Sequence, residues 1–297
     1  MEAWLLYTLI TYFLWTLTGF VDKIFLNKIF NKPLIYNTFV GLFQILVIIL
    51  IPFVGFTMPQ FYIVIFGLAL GILFFLCLIP YFKAISSDDV SLVAPLFSLT
   101  PILVLILSAI FLKDFLGSKE IVAFFLFLIG GFLISVKEFK NFRITKALKY
   151  VLLSCFMFSI YLLLMKYFFD NVGFFEGFIL LRIGHVMGAG LMLLNKNVRT
   201  SLKKQFFKLN LTNGAVFTSN ELLSIISQFF FNLAVSLGPI ALINACSGVQ
   251  YAMLFILVLI FTLFFPRILK EDLSKAILIR KILAILIISG AVYLLSI

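Results

Sequence analysis

Apolar residues along this chain neither alternate nor recur at helical spacing. They fill ten long blocks, near 4–21, 34–54, 61–82, 91–112, 119–136, 147–167, 173–194, 213–236, 240–264 and 275–296. A helix needs about 20 apolar residues to cross a hydrocarbon core. Inside that core the chain must satisfy its own backbone polar groups, which leaves only helices or closed barrels. Barrel strands alternate apolar and polar side chains, whereas blocks such as 121–134 and 251–265 are apolar on every face. The pattern predicts an all-α, polytopic membrane protein of ten transmembrane helices, with too little chain between blocks for a soluble domain. The first block starts almost at Met1 without a basic leader or small-residue cleavage site, so it reads as a span rather than a removed signal.

Composition agrees: 64% of residues are hydrophobic and 12% charged, far from the soluble average. A net charge of +11 would point to nucleic acid in a soluble protein. Here it holds loops at an anionic membrane surface, so the expected partner is the lipid bilayer and not a nucleic acid. Of the 23 Lys and Arg, 19 lie in the gaps and helix ends after blocks one, three, five, seven and nine, and only Lys113, Lys119 and Lys166 lie on the opposite side. The positive-inside rule then puts the basic gaps in the cytoplasm and both termini outside, in a multi-pass protein expected at the plasma membrane.

The chain also repeats. A shift of 143 residues aligns Tyr7 with Tyr150, Phe13 with Phe156, Lys23 with Lys166 and Gly41 with Gly184. A shift of 150 aligns Ala84 with Ala234, Ser86 with Ser236, Leu92 with Leu242, Ile106 with Ile256 and Phe111 with Phe261. One of 160 brings Gly130 onto Gly290. Order and near-constant register carry this argument, since single apolar identities are cheap. The predicted units are 1–140 and 141–297, with five spans each. An odd number forces the second copy to insert upside down, giving a 5+5 inverted repeat of the kind common in secondary transporters.

With these features the chain resembles the EamA-type, ten-helix members of the drug/metabolite transporter superfamily. The local pieces run from Ala84-Ile85-Ser86 through Ala94-Pro95 into Thr100-Pro101, then from Phe111-Leu112-Lys113-Asp114 to Gly130-Gly131. The family places an acidic residue after its fourth and ninth helices and two spaced glycines in the next. Asp114 and Glu271 fill the acidic positions and Gly130 and Gly290 the second glycine, while Ala123 and Arg280 replace the first. Family termini are usually cytoplasmic, against the charge reading above. The resemblance implies a secondary transporter with helices one, three, four, six, eight and nine around a cavity, and it carries over no binding residue.

Polar groups inside apolar blocks are the candidates for that cavity, because an ionisable group at membrane depth costs several kcal/mol unless paired or wetted. On the eighth block Glu221, Ser224, Gln228 and Asn232 form one helical stripe, flanked by Asn220 and Ser227. Either it faces a cavity or it bonds a neighbouring helix. On the seventh, Arg182 and His185 lie at i and i+3. Arg182 has three open roles: pairing with Glu221, binding a substrate carboxylate or phosphate, or snorkelling from a helix start. His185, the lone histidine, is a proton relay or a packed residue. The ninth block offers Asn244, Ser247, Tyr251 and Gln250, the fourth Ser98 between Pro95 and Pro101, and the first Trp15 on a stripe ending at Asp22. Lys23 and Lys166 sit at corresponding repeat ends, as gates or as interfacial anchors.

Cys77, Cys155 and Cys246 are dispersed and read as buried thiols. A single histidine argues against zinc. Neither a phosphate loop, a nucleophile elbow nor HExxH occurs, so no cofactor and no enzymatic activity is expected. Asp88-Asp89 reads as a helix cap. The expected function is alternating-access movement of a small metabolite, such as an amino acid, with Glu221 as a site for a coupling proton. Its rivals are a lipid-linked sugar flippase, a membrane-embedded lipid-modifying enzyme and a non-transporting scaffold. Substrate, flux direction, coupling ion and oligomeric state stay open.

Overall fold

In the computed structural model, residues 2–30, 32–87, 94–135, 146–207, 209–264 and 275–297 are described. Among them there is no strand, and helices follow one another with short connections. We number them α1 (Ala3–Phe25), α2 (Pro33–Phe43), α3 (Phe61–Ser87), α4 (Leu99–Leu107), α5 (Ser118–Ser135), α6 (Lys146–Phe169), α7 (Phe174–Met192), α8 (Lys196–Phe206), α9 (Leu211–Leu237), α10 (Ile240–Ala245), α11 (Ser247–Phe264) and α12 (Lys275–Ser296).

Nine spans among the described residues are long and apolar enough to cross a membrane. They coincide with nine of the ten apolar blocks; α10 and most of α11 form one of them together. The remaining block appears as the shorter apolar run Leu96–Leu112, because the residues before 94 lie outside the described ones. Mid-helix Ile65, Phe125 and Leu286 are exposed. Such side chains would be out of place in water and suit a lipid boundary.

Local sequence sets the helix ends. Pro33 opens α2 at its first turn, where the missing N–H costs nothing. The side chains of Asn195 and Asn210 cap α8 and α9 by accepting from Asn197 N and Asn213 N at 2.9 and 2.7 Å. Gly238-Pro239 separates α9 from α10. α2 continues without a break into a 3-10 helix, Gln44–Phe53, far longer than the usual three or four residues. α8 fills the basic gap after the seventh block, which the apolar pattern left without an element. It is a short amphipathic helix with Val198 buried and Lys203 and Lys204 in its last turn, too polar to span.

The core is shared between the chain's first and second halves. Leu5 and Tyr12 of α1, Phe124 and Phe127 of α5, Met165 of α6, Leu181 of α7, Val235 of α9 and Ala284 of α12 belong to one buried cluster. The pairing across the halves is reciprocal: α1 packs on α9 and α11, α6 packs on α3 and α4, and α5 packs on α12. α3 and α7 make the closest crossing. A Cβ on Gly71 would stand 2.2 Å from the Leu181 carbonyl oxygen, and one on Gly184 would stand 2.3 Å from that of Leu68. Only glycine allows backbones to meet like this.

Candidate functional site

The fourth and ninth blocks are both interrupted helices, and they touch one another through α4 and α10. The fourth runs as a 3-10 turn (Ala94–Ser98), then α4, then a π turn (Ser108–Leu112). The ninth breaks at Cys246, where Val249 N–H reaches back only to the Cys246 carbonyl at 2.9 Å. An interruption leaves carbonyls that need donors at membrane depth. Neighbouring helices supply them. The Tyr12 hydroxyl on α1 donates to the Ile243 carbonyl at 2.9 Å. The Thr16 hydroxyl reaches the Gln250 carbonyl at 3.4 Å, and the Ser159 hydroxyl on α6 reaches the Thr100 carbonyl at the same 3.4 Å. Thr16 and Ser159 are 143 residues apart and Thr100 and Gln250 are 150 apart, the same two registers found in the sequence.

At or beside these interruptions lie Ser98, Asn244, Ser247, Gln250, Tyr251 and Trp15, all half-buried, as is Gln228 on α9. The Trp15 ring packs on Phe231, with centroids 4.9 Å apart, and on Tyr12 at 5.5 Å. Asn232 is fully buried, and neither of its side-chain polar atoms has a hydrogen-bond partner. Ser227, by contrast, turns back to its own helix, donating to the Leu223 carbonyl at 2.7 Å.

A second polar group lies nearer the end of α1. The Tyr36 hydroxyl on α2 and the Asn220 amide on α9 both donate to Oδ1 of Asp22, each at 2.6 Å. Glu221 follows on α9, 1% exposed, with Oε2 unpartnered and within electrostatic reach of Asp22. The eighth-block stripe therefore meets a carboxylate on α1, not the arginine on α7.

Arg182 lies eight residues into α7, near its middle, and is 1% exposed. That placement rules out snorkelling from a helix start. Its guanidinium stacks over Phe74 and Phe178, 5.4 and 5.8 Å from their centroids, with the Tyr161 hydroxyl as the polar group beside it. No carboxylate among the described residues lies within ion-pair distance of it, so of its three open roles the pairing with Glu221 is not formed. His185 is equally buried, edge-on to Phe74 at 5.1 Å and beside Gly41, with both ring nitrogens unpartnered.

Lys166 ends α6 in an ion pair with Asp170 at 2.9 Å, and Asp114 lies within its electrostatic reach. Burial pushes the Asp114 carboxyl above its ordinary range; Lys166 pulls it back, and Glu120 and Asp170 add to the rise. The side chain of Lys23 lies outside the described ones, as do Glu271, Asp88 and Asp89. Among the described residues no cluster of His, Cys, Asp or Glu has metal-binding geometry. Tyr36, and Asp22 as an acidic partner, are the site residues that sequence reasoning passed over. The available signal was an acid on the same α1 stripe as Trp15.

Residues 2–136 match the family model for the EamA-like transporter family. No curated protein matches the chain by sequence. A solved protein crystal structure is similar over 99% of this chain and 96% of its own, at a TM-score of 0.70 and 12% identity, which is a likeness of fold alone.

Proposed function

Because residues 2–136 match the EamA-like transporter family, we propose that the chain is a secondary carrier of the drug/metabolite transporter superfamily, moving a small polar metabolite, such as an amino acid, by alternating access. In this reading residues 1–140 and 141–297 are inverted copies that rock about a site at the two interrupted helices. The observation that carries it is the matched pair of bonds, Thr16 to the Gln250 carbonyl and Ser159 to the Thr100 carbonyl, both 3.4 Å. The reciprocal packing of α1 on α9 and α11 and of α6 on α3 and α4 supports the same reading. Interrupted helices at corresponding positions of two halves mark substrate sites in carriers, because their free backbone groups line the cavity.

Gln228, Asn244, Ser247 and Tyr251 would recognise the polar part of the cargo, and Trp15 would flank its apolar part. Arg182 offers a buried positive charge to a carboxylate. Glu221 is the coupling carboxylate of this reading, with a proton as the coupled ion. The test begins with a thermal-shift screen against metabolites, since a ligand of the folded state raises its midpoint. Uptake of the selected compound into proteoliposomes follows. Uptake that weakens at least tenfold with Asn244→Ala and loses its pH dependence with Glu221→Gln is expected. Proteoliposomes that move none of the compounds that bind would sink the proposal.

A further inference from the structure

Two side chains donate to the same oxygen of Asp22. Tyr36 and Asn220 each turn a hydrogen toward Oδ1 at 2.6 Å. Glu221, buried beside them, receives nothing at Oε2. The other titratable groups that face this pair among the described side chains are Tyr36 and Tyr81; that of Lys23 is outside them. Two carboxylates from two helices thus meet here, and among the described residues no cation lies within ion-pair distance of either.

Two carboxylates within electrostatic reach of each other in a medium of low dielectric do not both stay charged, so the pair takes up one positive charge. A metal cation needs oxygen lone pairs around it. Here the two neutral neighbours offer Asp22 their hydrogens, which would repel a cation. A proton needs no such shell. The donors hold Asp22 as the anion, and Glu221, with its unpartnered oxygen, is the neutral acid.

We infer that Asp22 and Glu221 hold a single proton, resident on Glu221 while Asn220 ties α9 to α1, and that its passage to Asp22 unties them. In that step the O–H bond of Glu221 breaks and one forms on the Asp22 carboxylate, directly or through one water. Neutral Asp22 no longer receives charge-assisted bonds from Tyr36 and Asn220. The Glu221 anion left behind requires water, which opens this end of the bundle. Because Asn220 lies on α9 in the second half and Asp22 on α1 in the first, its bond is one between the halves, whereas the Tyr36 bond lies within the first half. This deepens the carrier reading, and its consequence for transport rests on it.

Infrared spectroscopy of the purified protein in lipid at neutral pH tests the proton without a substrate. The wild type should show one buried carboxylic-acid carbonyl stretch, shifted by isotopic labelling of glutamate and not of aspartate. The band should vanish in Glu221→Gln and survive in Asp22→Asn. A wild type without the band, or a band that moves only with labelled aspartate, overturns the assignment, and the isotope arm needs no variant to fold. The tie is read separately with Thr18→Cys, one turn from Asp22 and 4% exposed. Its labelling by a water-soluble maleimide should accelerate at least tenfold when Asn220→Ala is added, and an unchanged rate overturns the tie. Neither readout involves cargo, so a failed uptake assay would refute the carrier and leave the proton pair standing.

Discussion

Gly71 and Gly184 face each other where α3 crosses α7, each so near the other helix that an added methyl carbon would lie within 2.3 Å of a main-chain oxygen. The opposing group is backbone, which cannot swing aside as a side chain does. Gly71→Ala and Gly184→Ala should therefore each destabilise by roughly 1–3 kcal/mol or more, as overpacked cores do. Gly290→Ala on α12 meets nothing within 4 Å and should gain about 0.5–1 kcal/mol from helix propensity. Unfolding midpoints in detergent distinguish the two sites; equal effects would remove the crossing as the cause.

Arg182 stacks on aromatic rings and has no described acid partner. Replacing a buried charge by an apolar side chain of similar length is often neutral or stabilising. Arg182→Met should keep or raise the midpoint, whereas Arg182→Ala, which opens a hole, should lose on the order of 2–4 kcal/mol. Cargo binding through the guanidinium would be lost in both. A clear drop in midpoint for Arg182→Met would mean that an anion is bound there in the folded protein.

Asp114 yields a prediction about pH. A carboxyl raised by folding binds its proton more tightly in the native state. The stability it contributes is complete below the ordinary aspartate value, about 3.9, and is lost as pH climbs through the raised one. Asp114→Asn should therefore raise the midpoint at neutral pH and show no advantage near the ordinary value. Lys166→Met should widen that difference, because Lys166 opposes the rise. A gain that does not change between acid and neutral pH would exclude the carboxyl as its source.

Cys77, Cys155 and Cys246 are buried and free. Inert thiols of this kind do not reach a polar reagent. Water-soluble maleimide should leave the native wild type unlabelled and modify all three after denaturation. Labelling of Cys155 in the native protein would indicate that the α4–α6 contact opens.

Block boundaries were legible because a lipid core imposes a length, and nine observed spans match their predicted limits within a few residues. α8 was not read as a helix because its charges dominate. Asn195, and Val198, Leu202 and Phe206 at spacings of four, were the available signs of a capped, amphipathic helix. Three roles stayed open for Arg182 because block edges do not locate its neighbours. Its cage of Phe74, Phe178 and Tyr161 draws on α3 and α6, contacts that no local pattern encodes. Asp22 was noted only as the end of a stripe, since beside Lys23 it reads as part of an interfacial pair. Its bond from Asn220, 198 positions away, exists only after α9 docks.

The ten 3-10 residues that finish the second span give it spare reach. At about 2.0 Å per residue they extend roughly 20 Å, against about 15 Å for the same number in an α-helix. Tightening or relaxing those turns alters the segment by up to about 5 Å, comparable to the difference in thickness between cellular bilayers. The second span therefore covers a given membrane depth with fewer residues than an unbroken α-helix would need.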